Sequence, residues 1–307
     1  MRISGTDRQY FLGFSLAILA GLCWGSMSVI GQMMMSGEGA FSAEDLGCLR
    51  VFGAGLLLSA VAALKTPGRV RSLFSDRRRF TGVLIYGLGV LAVQYTFFLS
   101  IRAAGAATAA LMVTTAPLFV ILTQAVRGER RVQRAELAAF AMALTGVALL
   151  VSKGDFTRFD LSVAGVGFGL LSAACGAFCT LQPRRVIAEL GVMPVVGFGM
   201  LFSGALSTVF HPPWAVSGTL TPLTVAGLAY LIVVGTALAF IFYLKSLSYV
   251  PAAVSVILVA FEPLSAIVLS VWILGVDFNG FEIAGILTIL AMVGVLAAAA
   301  LRQPAGR

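Results

Sequence analysis

The chain has 307 residues, 59% of them hydrophobic and only 11% charged, with a formal net charge of +8. A soluble domain is about 45–50% apolar and about 25% charged, and helices apolar on every side have no face to turn to water, so a soluble globular fold is excluded. The basic excess is spread over short connections between apolar runs, which reads as membrane orientation and not as nucleic-acid binding.

Apolar runs of about 20 residues, enough for a helix to cross ~30 Å of hydrocarbon, recur along the sequence. The first, near 11–33, is longer than the ~7–15-residue core of a secretory signal and is followed by more of its kind, so it is read as a span. It carries small residues at Gly13, Ala17, Gly21 and Gly25, one helix face on which a neighbouring backbone can approach closely, and Trp24. After a short connection at 37–42, the second span, near 43–64, contains the lone Arg50. The third, near 81–102, holds Gln94 and Tyr95, and the fourth, near 106–126, holds Thr114, Thr115 and Pro117. A fifth follows near 133–151. Five more lie near 163–186, 192–210, 222–247, 251–274 and 279–301, with His211-Pro212-Pro213-Trp214 in a connection. Ten such spans use roughly 200 positions, leaving no room for a soluble catalytic domain.

An even number of spans puts both tails on one side. That side receives Arg2, Arg8, Lys65, Arg69, Arg71, Arg77, Arg78, Arg79, Arg127, Arg130, Arg131, Arg134, Arg184, Arg185, Lys245, Arg302 and Arg307. The opposite side receives Arg102, Lys153 and Arg158. Seventeen against three predicts cytoplasmic termini in a multi-pass protein of the cytoplasmic membrane.

The spans also read as two related sets. Adding 152 carries Gly13, Ala17, Gly21 and Gly25 onto Gly165, Gly169, Ala173 and Ala177, and Cys23 onto Cys175. Adding 146 overlays residues 105–118 on 251–264, Pro117 on Pro263 and Glu136 on Glu282. The expected organisation is therefore a first five-helix repeat at 1–151 and a second at 152–307. Five is odd, so the repeats would face opposite sides of the membrane around a central cavity, an arrangement common in secondary transporters.

The Leu22-Cys23-Trp24-Gly25 stretch and the lone Arg50 carry a resemblance over essentially the whole chain. So do the Ala-rich entry to span four ending at Pro117, Gly128-Glu129-Arg130, and Glu262-Pro263. In these features the chain resembles the EamA-type, ten-helix branch of the drug/metabolite transporter superfamily. The resemblance implies an all-α membrane protein that exports metabolites, amino acids or drugs without a bound cofactor. Within the branch it looks like the aromatic amino-acid exporters of the YddG type.

Polar residues at membrane depth mark the expected site. Glu262 lies about eleven residues inside span nine, roughly 16 Å from its ends along the axis. An ionised carboxylate there needs a partner, a proton or water. Pro263 next to it removes a backbone donor and bends the helix, as Pro117 does in the fourth span, so both prolines are candidate hinges. Ala116 stands where Glu262 does, so the bend does not require the acid. For Arg50 three roles are open: snorkelling to the interface, an ion pair with Glu262 that couples to transport, or a bidentate grip on a substrate carboxylate. Trp24, Gln94, Tyr95, Thr114, Thr115, Phe261 and Glu262 form the expected substrate-binding set.

Cys23, Cys48, Cys175, Cys179 and the single His211 supply no metal-ligand pattern, and no catalytic dyad is evident, so an enzyme is not expected. No ring of like residues suggests a channel filter. The sequence reading is a transporter without cofactor, a monomer or weak homodimer in the bilayer. Its substrate is a small molecule, most simply a zwitterionic amino acid moved by alternating access, with a multidrug or other metabolite exporter as the alternative.

Overall fold

The computed structural model of the chain describes residues 5–37, 39–129, 131–154, 163–212, 214–250, 258–259 and 261–302. Among them every regular element is a helix. In chain order these are α1 (Gly5–Met34), α2 (Ala43–Lys65), α3 (Pro67–Ser75), α4 (Arg77–Ala104), α5 (Ala106–Val113), α6 (Ala116–Val126) and α7 (Arg134–Ser152). Then come α8 (Val163–Leu181), α9 (Arg184–Leu190), α10 (Val192–Phe210), α11 (Pro222–Ile232), α12 (Ala239–Ser246), α13 (Phe261–Leu274) and α14 (Gly280–Arg302). A π-helical stretch, Val233–Leu238, joins α11 to α12.

Seven described helices are long and apolar enough to cross a membrane: Gln9–Met34, Ala43–Lys65, Arg77–Ala104, Ala106–Val126, Val163–Leu181, Val192–Phe210 and Pro222–Ser246. Phe261–Leu274 and Gly280–Leu296 are shorter apolar helices. The chain is a multi-pass membrane protein.

Local chemistry sets where the helices start and break. Ser42 and Asp45 form a capping box at the start of α2, with Asp45 N donating to Ser42 Oγ at 3.0 Å. Glu136 accepts from Gln133 N at 2.8 Å, and Glu282 accepts from Asn279 N at 2.9 Å. The two acids that the 146-residue shift superposes therefore serve the same end, satisfying an orphan N–H at a helix start. Thr114 and Thr115 break the fourth span between α5 and α6, each hydroxyl donating at 2.6 Å to the carbonyl three residues back, Leu111 O and Met112 O. Pro117, which has no N–H to lose, stands in the first turn of α6. Thr236 donates to Leu231 O at 2.9 Å within the π-helical stretch.

Glycine faces make the packing. A Cβ added to Gly21 would sit 3.0 Å from Glu262 N and 3.1 Å from Val259 O, and Gly25 lies directly on the Glu262 carbonyl and Ser265, so α1 rests on the backbone of α13. The matching face of α8 lies elsewhere. Gly165 is against Ala103 and Ala104, Gly169 against Met112 and Ser100, so α8 rests on α4 and α5. Gly55 and Gly204 let α2 and α10 cross closely, and Gly146 and Gly285 do the same for α7 and α14. Only a missing side chain permits such approach.

The two ends of the bundle are built differently. At one end the 35–42 and 211–221 connections are tied together. Ser217 donates to Asp45 Oδ2 through its N at 2.9 Å and its Oγ at 2.6 Å, and Thr219 N donates to Gly39 O at 2.9 Å. Arg102 pairs with Glu44 at 3.6 Å on the same side. At the other end Arg79 Nε lies 2.7 Å from Glu189, beside the basic residues that follow α2 and α9's start.

The structure departs from the sequence reading in two places. The sixth span ends at Leu181 rather than 186, because Pro183 cannot continue it, and α9 begins afresh at Arg184. The 66–76 connection contains the helix α3, opened by Pro67 and anchored by fully buried Leu73. Arg2, Arg130, Arg158, Arg307, Pro213 and the 251–257 stretch lie outside the described residues.

Asp45 is 5% exposed and holds the connections at its end. Asp45→Ala leaves the Ser217 donors without their acceptor, and is expected to lower stability by about 1–3 kcal/mol. The check is the unfolding midpoint in detergent; an unchanged midpoint would remove Asp45 from this role.

Candidate functional site

The chemistry of the bundle interior centres on a cavity of about 200 Å³. Trp24 and Met27 of α1, Arg50 of α2, Gln94 and Phe97 of α4, Val113 of α5, Ser172 of α8, Phe240 of α12 and Glu262 of α13 contribute to its wall, together with Val93. Four of the sequence-predicted residues, Trp24, Arg50, Gln94 and Glu262, thus meet in one place.

Arg50 sits seven residues into α2, about 10 Å along its axis, and is 2% exposed. Burial at this level rules out the snorkelling role. The guanidinium is packed against the Met27 sulfur and over the Phe98 ring, 5.3 Å from its centroid. Neither brings the negative charge and paired acceptor oxygens that a carboxylate offers a guanidinium. Its Nε has no hydrogen-bond partner. Glu262 is half-buried, lines the same cavity and makes no side-chain hydrogen bond among the described residues. Arg50 and Glu262 interact electrostatically across the cavity, but no N···O distance between them falls within 4.0 Å. The geometric reason is the packing of their helices. Glu262 is fixed where α1's glycines clamp the α13 backbone, while Arg50 is turned toward Met27 and Phe98.

Around these charges the wall is mostly aromatic and apolar. The Trp24 ring lies edge-on to Phe240 at 5.4 Å and tilted to Tyr243 at 5.7 Å. Ser172 Oγ donates to Val93 O at 2.9 Å, so its hydroxyl is already engaged.

The remaining predicted residues lie elsewhere. Tyr95 follows Gln94 but points about 100° away around α4, into a groove of about 460 Å³ with Cys48, Ser207 and His211. Phe261, adjacent to Glu262, faces a groove of about 500 Å³ with Leu22, Cys23, Ser26 and Tyr230. Thr114, Thr115 and Pro117 form the break between α5 and α6, and Pro263 is buried in the first turn of α13. Among the described residues no group of three or more His, Cys, Asp and Glu side chains could hold a metal ion.

Sequence reasoning missed Met27, Phe97, Val113, Ser172 and Phe240. Phe240 and Tyr243 are three apart, hence neighbours on one helix face; a mid-span tryptophan calls for such a face, and that signal was available. Nothing local marks the others.

Comparison with known proteins places this arrangement in context. The model of the EamA-like transporter family matches residues 11–152 and again 163–298. The "uncharacterized inner membrane transporter YicL" of Salmonella typhimurium is 33% identical over 94% of this chain and 95% of its own. The "uncharacterized transporter YwfM" of Bacillus subtilis is 25% identical over 94% and 95% of the two chains. The "threonine/homoserine exporter RhtA" of Salmonella typhimurium is 29% identical over 73% and 72%. A protein crystal structure superposes with a TM-score of 0.64 over 95% of this chain and 99% of that one, at 19% identity, a likeness of fold.

Of the three tryptophans, Trp214 and Trp272 are 82% and 81% exposed, while Trp24 lines the cavity. With Trp214 and Trp272 replaced by Phe, the remaining emission is expected to resist an aqueous quencher and to change when a ligand enters. Free quenching would show that Trp24 faces water instead.

Proposed function

Because the chain belongs to the EamA-like transporter family, we propose that it is a secondary transporter exporting a small zwitterionic metabolite, an amino acid, across the cytoplasmic (inner) membrane. The observation that carries this is the pair of opposite charges, Arg50 and Glu262, on one cavity wall, near enough to interact but without a direct N···O contact within 4.0 Å. A buried charge needs a partner. An amino acid supplies both at once: its carboxylate offers the bidentate acceptor that a guanidinium fork fits, and its ammonium the cation that Glu262 lacks. A strong anion would meet Glu262, and a simple cation would meet Arg50.

Size argues in the same direction. Pockets for drug-sized ligands hold about 300–1,000 Å³, whereas this one holds about 200 Å³. The aromatic wall is already filled by Trp24, Phe97 and Phe240, and Tyr95 and Phe261 face other grooves. Both facts favour a small amino acid over an aromatic one or a multidrug substrate. The printed function of the relative RhtA, threonine and homoserine export, is compatible with this.

The mechanism proposed is alternating access by two inverted five-helix halves, 1–151 and 152–307, in a ten-span bundle with cytoplasmic tails. Three features support it. The family model matches the chain twice. Glu136 and Glu282 cap equivalent helix starts. The glycine face of α1 packs on α13 while that of α8 packs on α4 and α5, the exchange of partners that a two-fold relation between halves demands. In this mechanism the bound zwitterion bridges Arg50 and Glu262, and the halves rock around it with both charges matched. The chain has no GxxxxGK[ST] phosphate loop, so an ATP-driven cycle would need a separate motor subunit, and the cycle proposed runs on the gradient of the substrate or of a coupled ion.

The test is counterflow in liposomes loaded with unlabelled amino acids, using purified protein and one labelled amino acid at a time. Saturable exchange is expected, with Arg50→Met and Glu262→Gln each lowering kcat/KM by about 100-fold or more, as loss of a buried charge partner predicts. The decarboxylated amine and the methyl ester should not exchange. Folded protein that exchanges no amino acid above empty liposomes would overturn the substrate assignment.

A further inference from the structure

Gln94 is 9% exposed and faces the same cavity as Arg50 and Glu262. A carboxamide carries two N–H donors and an oxygen with two lone pairs, and among the described residues that of Gln94 engages none of them with a protein group. The hydroxyls nearby behave differently. Ser172 donates to Val93 O at 2.9 Å, Thr96 to Ala92 O at 2.7 Å and Thr114 to Leu111 O at 2.6 Å. Each has turned back onto a helix carbonyl. The flanking wall at Val93, Phe97 and Val113 offers the amide nothing.

An amide left unpaired in a low-dielectric interior is costly. A ligand that satisfies it is favoured, and one that displaces its water without replacing the hydrogen bonds is rejected. Resting on the reading that Arg50 and Glu262 hold the substrate's α-carboxylate and α-ammonium, we propose that Gln94 is the residue that selects the substrate's side chain. It hydrogen-bonds a side-chain hydroxyl or carboxamide, so the transported amino acid is small and polar, and the aliphatic isostere of the same volume is turned away. The discrimination is of the strong kind, because the apolar competitor leaves a buried polar group of the site unpaired. The cavity's size sets the upper limit on that side chain, and Gln94 sets its polarity.

The experiment compares isosteric pairs in the same proteoliposomes: threonine against valine, and asparagine against leucine. For the wild-type protein kcat/KM for the polar member should exceed that for the apolar one by at least about tenfold in both pairs. In Gln94→Leu the ratio should fall to within about twofold of unity, mainly through loss of the polar substrate. Because each ratio is taken within one preparation, it does not depend on the fraction of active protein. Should Gln94→Leu not fold, Gln94→Met takes its place with the same expected loss of the ratio. Exchange of amino acids with equal rates for the two members of each pair would overturn the role of Gln94 while leaving the Arg50–Glu262 reading intact. A ratio that persists in Gln94→Leu would assign the selection to another residue. Absence of exchange for all four amino acids would overturn the underlying reading and this one with it.

Discussion

Hydrocarbon gives a polar group no partner, so whatever is polar inside this chain has to be answered by the chain or by what it carries. Most of its polar groups obey the first clause. Thr114, Thr115 and Thr236 turn their hydroxyls onto carbonyls of their own helices at the places where regular bonding fails. Glu136 and Glu282 answer the orphan donors at the starts of α7 and α14. Asp45 collects the loose backbone of the connections around it. Against this frugal background three side chains, Arg50, Gln94 and Glu262, share one cavity and have, among the described residues, no hydrogen-bonding oxygen or nitrogen of the chain set against them there. On the reading proposed above, there is a reason to leave this guanidinium without a carboxylate in direct contact.

That reason is mechanical as much as chemical. If Arg50 and Glu262 bonded tightly to each other, the empty site would sit in an energy well, and a substrate would first have to break the pair. On the proposed reading, holding them apart by packing keeps both available to a substrate. The holding is done by backbone: α1 lies on α13 through Gly21 and Gly25, which fixes the height and rotation of Glu262. Arg50 is held by contacts that a carboxylate readily outcompetes, a thioether and an aromatic face. Site and scaffold are thus one construction, since the residues that let helices touch also aim the charges.

Much of this was legible in the sequence, for identifiable reasons. Small residues at every fourth position mark a helix face whatever surrounds it, and the faces of α1 and α8 are where Gly13, Gly21, Gly25, Gly165 and Gly169 place them. A charged or amide side chain in an apolar run is conspicuous, which singles out Arg50, Gln94 and Glu262. What the sequence cannot supply is rotation. A helix apolar on all sides has no amphipathic pattern to say which way it faces, so Gln94 and Tyr95, or Glu262 and Phe261, look equally central although only the first of each pair reaches the cavity. Arg50 misleads for the converse reason: a position near a helix end usually opens to the interface, but here Phe98 and Met27 close over it. Ser172 and Val113 belong to the site only through tertiary packing, and no local pattern announces them.

The glycine contacts have a consequence for how such a carrier can change over generations. Any base change that alters the amino acid at a glycine codon adds at least a Cβ, and at Gly21, Gly25, Gly55 or Gly204 that atom meets a neighbouring helix. At Gly25, Gly55 and Gly204 the neighbouring backbone would have to shift, and at Gly21 it would have to give by a few tenths of an ångström, so substitutions there disturb the scaffold that aims the charged pair. Val113, Phe97 and Gln94 present side chains to a cavity instead of backbone to backbone, so exchanges there alter the shape and polarity of the lining at far less cost to the scaffold. Variation in this architecture is channelled by its close contacts into the cavity wall, which is the part proposed here to select what is carried. A laboratory library meant to redirect the carrier would do well to follow the same partition.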